Sequence, residues 1–204
     1  MYLYCYTLDL RSNAVRKALR TAYEMHRTVM SAYRMVDSDN PRKDMGVLYR
    51  LYSLGNTQKL YVSSIEKAVN EMPEGFIKEA GSPKNLAPVL ESISIGMVLS
   101  FDIMTMPSKK VQMPDSKNSK RIFLSKEVDR EEWLHKKSSQ NGFEILTFTE
   151  KNSIDNRIKN GNFNSIVFQG TLKIADREKF LNAYKYGIGA EKAFGCGMLL
   201  LYKA

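Results

Sequence analysis

The 204-residue sequence is poor in the residues that usually announce a site: two cysteines, two histidines, one tryptophan and six prolines. Cys5 and Cys196 lie near opposite ends without a partner motif, which argues against a disulfide framework and a zinc site and makes each a small buried hydrophobe. No set of acids has the spacing of a two-metal centre, so neither a metal nor any other cofactor is expected. With so few histidines, any imidazole chemistry falls on His26 or His135. Apolar runs such as 198–202 are far shorter than the roughly 20 residues a membrane helix needs. The opening residues alternate like a strand, unlike the charged-then-apolar pattern of a leader. A cytoplasmic protein without a membrane partner is the expectation. What is present is a globular composition, 43% apolar and 26% charged, which excludes disorder, collagen and coiled coil. It also carries 31 Lys+Arg against 22 Asp+Glu, a formal charge of +9 that favours anionic partners.

The order of elements is βαββαβ, twice. Residues 2–8 read as a strand, 12–36 as a helical stretch with one interruption, and 47–53 and 59–65 as a hairpin. A short helix over 65–72 ended by Pro73, a strand over 76–80 and a loop with Gly81, Pro83 and Pro88 complete the first set. In the second, 93–105 is a long strand and 107–120 a polar loop. A helix over 126–140 ends at Asn141-Gly142, strands 143–149 and 163–174 flank a polar hairpin, and a helix over 176–186 precedes a closing strand, 197–202. The fold class is therefore α+β, tandem ferredoxin-like (RRM-like) domains, with residues 1–90 and 91–204 as the two units.

Thr21-Ala22-Tyr23-Glu24 is a capping box, so a helix starts at Thr21. At about 100° per residue, Ala22, Met25, Val29, Ala32, Tyr33 and Val36 share the core face. Tyr23, His26, Arg27, Met30, Ser31 and Arg34 form the adjoining stripe. Imidazole, phenol and guanidinium groups thus gather near a helix start, whose free N–H groups and dipole favour phosphate. The bland alternative is that His26 packs at the edge of an apolar face. His135, among Glu131, Glu132, Lys136 and Lys137, reads as solvent-facing. A second basic concentration, Lys109, Lys110, Lys117, Lys120, Arg121 and Lys126 against the single acid Asp115, reads as a phosphate-seeking loop or a solvated one. Finally, residues 187–197 hold Gly187, Gly189, Gly195 and Gly197. They follow a helix and open a strand, the reverse of a P-loop or dinucleotide fingerprint, and offer either a phosphate cradle or a glycine-assisted turn.

The segment Tyr23-Glu24-Met25-His26-Arg27-Thr28, with Gly187-Ile188-Gly189 and Lys192-Ala193-Phe194-Gly195-Cys196-Gly197-Met198-Leu199-Leu200, closely resembles the CasE family of CRISPR RNA-processing endoribonucleases. The opening strand, the stretch GMVLSFDIMTMPSKK and the helix EVDREEWLHKK extend the similarity over nearly the whole chain. The resemblance implies a metal-independent enzyme that binds the stem-loop of CRISPR repeat RNA and cuts at its 3′ base. It would leave 5′-hydroxyl and 2′,3′-cyclic phosphate ends and remain with other Cascade subunits. It places catalysis on His26 and Tyr23. RNA binding would fall on Arg27, Arg34, Lys109, Lys110, the hairpin residues Lys151, Arg157 and Lys159, and Gly187, Gly189, Lys192, Gly195 and Gly197. Cyclising cleavage uses the ribose 2′-OH as nucleophile, so it needs in-line geometry, an acid–base pair and charge stabilisation. The rival reading is a catalytically silent RNA-binding or scaffold protein on the same fold.

Overall fold

The computed structural model describes residues 1–34, 36–112, 119–158 and 160–203. The first half runs β1 (Tyr2–Leu8), α1 (Asn13–Ala18), α2 (Ala22–Met30), α3 (Pro41–Asp44), β2 (Leu48–Leu54), β3 (Thr57–Ser64), β4 (Ile77–Ala80), β5 (Lys84–Asn85) and α4 (Ala87–Ser92). The second runs β6 (Val98–Thr105), β7 (Ser108–Gln112), β8 (Ser119–Phe123), α5 (Glu127–Gln140), β9 (Phe143–Ile158), β10 (Gly161–Ile174), α6 (Arg177–Tyr186), a 3₁₀ turn (Lys192–Phe194) and β11 (Leu199–Lys203). The first sheet is ordered β2-β3-β1-β4, the second β11-β6-β10-β9, and among the described residues β7 pairs with β8 alone. All these pairings are antiparallel. In both sheets the first strand lies between the third and the fourth, with the second outermost beside the third, which is the ferredoxin-like arrangement expected twice over.

Four local expectations are corrected. Residues 65–72 are not helical: the N–H groups of Val69 and Asn70 donate to the Ala32 carbonyl, and that of Ala68 to the Tyr4 hydroxyl. A segment too short to nucleate a helix finds better partners across the chain than along it. Residues 87–92, expected in a loop, form α4, because Pro88 sits in the first turn, where its missing donor costs nothing. The strand expected from 93 begins only at Val98, after a turn closed by Gly96 N–H on the Ile174 carbonyl. The polar loop over 107–120 contains the β7–β8 hairpin, with Lys110 opposite Arg121; its lysines leave no apolar period to read. Asp115 and Lys117 lie outside the described residues. The hairpin between 149 and 163 is a direct extension of β9 and β10, pairing Asn162 with Arg157 and Gly161 with Ile158.

Each sheet packs its own core. Met25, Val29, Leu60 and Phe76 centre the first, and Phe168, Leu172, Ile174 and Phe180 the second. Leu86 and Leu90 join the second core, so α4 lies on the seam, spanning residue 90. Leu48 of β2 packs with Met198 and Leu200, joining the two sheets. Beside them, the guanidinium of Arg50 donates to Asp102 at 3.2 Å, and Gln169 donates to the other carboxylate oxygen. Cys196 is fully buried, as its expected role requires, and burial pushes its thiol up to about 12.

Candidate active site and nucleic-acid interface

Helix α2 starts at the expected Thr21 cap, whose hydroxyl accepts from Glu24 N–H at 3.1 Å, the first half of the capping box. The Glu24 carboxylate lies 3.6 Å from Arg27. Met25 and Val29 face the core, which fixes the rotation of the helix and leaves His26 half-buried on its flank. There the imidazole meets the other half of the chain: its ring stands edge-on to Phe194 of the 3₁₀ turn, with centroids 6.3 Å apart and planes at 85°.

His26 lines a cavity of about 430 Å³ with Tyr33, Arg34, Arg42, Lys43 and Ala193. Burial, followed by the charge of Arg42, holds its pKa below the usual imidazole range, because both effects disfavour imidazolium. Arg42, itself lowered by burial, is steadied by donating to the Val47 carbonyl at 2.9 Å. Lys192 is lowered by burial and then by the like charges of Arg42, Lys43 and Lys137. Arg42 and Lys43 of α3 therefore border a neutral imidazole, with Lys192 of the glycine segment bearing on the same two cations, an arrangement that an entering phosphate would relieve.

The structure distributes the residues singled out from the sequence unevenly. Tyr23 is 36% exposed, one turn before His26, and outside the residues lining its cavity. Arg34 does line it but pairs with Glu66 at 2.9 Å. Arg27, Lys109, Lys110 and Lys151 are exposed. Lys159 lies outside the described residues. Arg157 borders a second cavity of about 330 Å³, between the β9–β10 hairpin and the α1–α2 turn, with Arg20, Tyr49, Phe194 and Gly195. Gly187, Gly189 and Lys192 line a third, of about 300 Å³. His135, as expected, is outward, 4.0 Å from Glu131.

Gly197 borders none of these three cavities. Its φ of +82° and the Ile188 carbonyl, 2.6 Å from where a Cβ would stand, explain the glycine. Ile188 N–H donates back to the Gly197 carbonyl, so the two ends of the loop are stitched together. Gly197→Ala is expected to lower stability by about 1–3 kcal/mol, by forcing a left-handed backbone and a backbone clash. Chemical denaturation measures the change, and an unchanged midpoint would contradict it.

Sequence reasoning missed Arg42, Lys43 and Phe194. Arg42-Lys43 directly after Pro41 was the available signal, a basic pair in the first turn of a helix. Phe194 gave none, since its contact with His26 is entirely tertiary. Among the described residues, no group of three or more His, Cys, Asp or Glu side chains is placed to hold a metal ion, and no helix is long and apolar enough to cross a membrane.

The chain was compared with known proteins. The family described as CRISPR associated protein matches residues 1–203. A curated relative, CRISPR-associated endoribonuclease Cse3 of Thermus thermophilus, is 26% identical, with 98% of each chain covered. The solved structure of CRISPR endoribonuclease Cse3 bound to 19 nt RNA superposes with a TM-score of 0.84 at 23% identity, covering 98% of each chain. A chain of a CRISPR RNA-guided surveillance complex in a pre-nicking state gives 0.73 at 26% identity over the full length of both. With the matched region running from the first strand to the last, the chain belongs to the CRISPR-associated protein family.

Proposed function

We propose that this protein binds the stem-loop of CRISPR repeat RNA, cuts it at the 3′ base of the stem and stays with the product as a subunit of a Cascade-type complex. The observation that carries the reading is the half-buried His26, kept neutral beside Arg42 where α2 meets the glycine segment. The relatives' names and assemblies agree with it: an endoribonuclease, an RNA-bound structure and a surveillance complex. A division near residue 90, between a unit with the catalytic helix and one with the hairpin and glycine segment, belongs to the same proposal, as does a cytoplasmic location.

The reaction needs no protein nucleophile. The ribose 2′-oxygen bonds to the adjacent phosphorus as its proton passes to His26, a neutral base at pH 7 because of its lowered pKa. The bond from phosphorus to the 5′-oxygen breaks, leaving a 2′,3′-cyclic phosphate, and the departing oxygen takes a proton with Tyr23 as the donor. Arg42 and Lys192 supply the positive charge that the crowded phosphoryl oxygens need. The stem, whose A-form major groove is too narrow to read, is gripped through its phosphates and shape. Arg157 and Lys151 of the β9–β10 hairpin make those contacts, with Arg27, Lys109 and Lys110 adding longer-range attraction. Analysis of the ends produced from a repeat hairpin tests the reading: 5′-hydroxyl and cyclic phosphate ends support it, and 5′-phosphate ends refute it.

The pH profile gives a second check. Burial first, and then Arg42, hold the His26 pKa down, so the acid limb of kcat/KM lies below the ordinary imidazole value of about 6.5. Arg42→Ala removes the depressing charge and moves that limb to higher pH, while Arg42→Lys retains most of the effect. A limb that stays in place in Arg42→Ala would separate the two groups.

A further inference from the structure

Of the residues lining the third cavity, the chemistry above uses Lys192 alone. Its walls come from β7, β8, α5, residues 187–190 and Lys192. Three cations, Arg121, Lys137 and Lys192, line it, and among the described residues no acid does. The ammonium groups of Lys137 and Lys192 rest on neutral acceptors, Gln140 Oε1 at 3.0 Å and the Gly187 carbonyl at 3.3 Å. Ser108, 9% exposed, lines the same cavity with a hydroxyl that has no hydrogen-bond partner among the described residues. A buried hydroxyl without a partner is costly, and here it stands beside unneutralised positive charge. Lys137 is lowered by burial and then by Lys136 and Arg121, so these cations oppose one another as they stand.

From this set, resting on the reading of the protein as a repeat-RNA endoribonuclease, we infer that the cavity holds a backbone phosphate of the single-stranded RNA just 3′ of the cut, with Arg121, Lys137 and Lys192 as its counter-charges and Ser108 as a hydrogen-bond donor. The order of the cavities gives the direction. Phe194 and Gly195 border the cavity that Arg157 of the stem-gripping hairpin shares. Ala193 borders that of His26, and Lys192 and residues 187–190 border the third. Following the glycine segment backwards thus leads from the stem through the scissile phosphate to the flanking strand. Lys192 joins the last two places, since Arg42 and Lys43 of one and Lys137 of the other all bear on it.

The test uses two stem-loop RNAs, both with a 2′-deoxy sugar at the cleavage position. One ends a single nucleotide past the cut; the other carries a longer 3′ extension. The wild-type protein should bind the extended RNA more tightly. Lys137→Ala and Arg121→Ala, neither in the catalytic group, should each weaken the extended complex about 5–10-fold and lower its salt slope by about 1, leaving the short complex unchanged. Equal weakening of both RNAs, weakening of neither, or a wild type indifferent to the extension overturns the inference. Inorganic phosphate is assayed alone: a melting shift in wild type that Lys137→Ala loses, with no length preference for RNA, assigns the cavity to a free anion instead. Unmodified short stem-loop, run alongside, reads the cleavage function by itself, so its failure is recognised separately from that of the subsite.

Discussion

His26→Ala is expected to reduce cleavage of a repeat hairpin by about 10²–10⁴-fold, the range for loss of a general acid–base group, while binding stays within a few-fold. The asymmetry follows from position. Met25 and Val29 anchor α2 in the core, so removing the neighbouring imidazole leaves the helix in place. On the proposed reading, phosphate affinity resides in Arg42 and Lys43, which line the same cavity, and in Lys192, on which both bear. Single-turnover cleavage and equilibrium binding on the same RNA separate the two quantities. A variant that cuts at the wild-type rate would leave His26 a packing residue against Phe194. Loss of binding in step with loss of cleavage would make it a ligand-holding group.

Asp102→Ala should cost about 3–5 kcal/mol of stability, the usual penalty for stranding a buried charge. Arg50 is 4% and Asp102 2% exposed, and among the described residues the Nε and Nη1 of Arg50 have no hydrogen-bond partner even now. Taking away the carboxylate leaves a guanidinium inside the seam between β2 and β6 with no counter-charge at all, and Gln169 loses its acceptor. Replacing both partners, Arg50→Met with Asp102→Leu, should recover most of the loss, because the cost lies in the orphaned ion more than in the pair itself. Urea unfolding measures it; a single variant as stable as wild type would contradict the role given to this pair. The seam matters to the site because β2 belongs to the half that carries α2, and β6 pairs with β11, which follows the glycine segment.

Local signals were the readable ones. The capping box at Thr21, the apolar stripe of Met25 and Val29 and the flanking place of His26 depend on residues three or four apart, and they hold. The tandem ferredoxin-like order was legible in the apolar runs of the strands, which are buried continuously over Phe101–Thr105 and Ser165–Phe168, and the resemblance of residues 23–28 and 187–200 to a known family agrees with the match over 1–203. Misreadings fall where partners are distant. The backbone of 68–70 turns to Tyr4 and Ala32, and the β7–β8 hairpin has charged residues where a period was sought. Arg42 reaches the His26 cavity through a connection whose course no short-range pattern specifies, and the ring contact of Phe194 with His26 spans most of the chain.

The most direct test of self-attack by the RNA is a comparison of two repeat hairpins in EDTA, identical except that one lacks the 2′-hydroxyl at the scissile sugar. The ribose form should be cut to completion and the deoxy form bound but left whole. Cleavage of the deoxy form at a comparable rate, or loss of all cleavage in EDTA, would contradict the assignment of His26 as the base for a substrate hydroxyl.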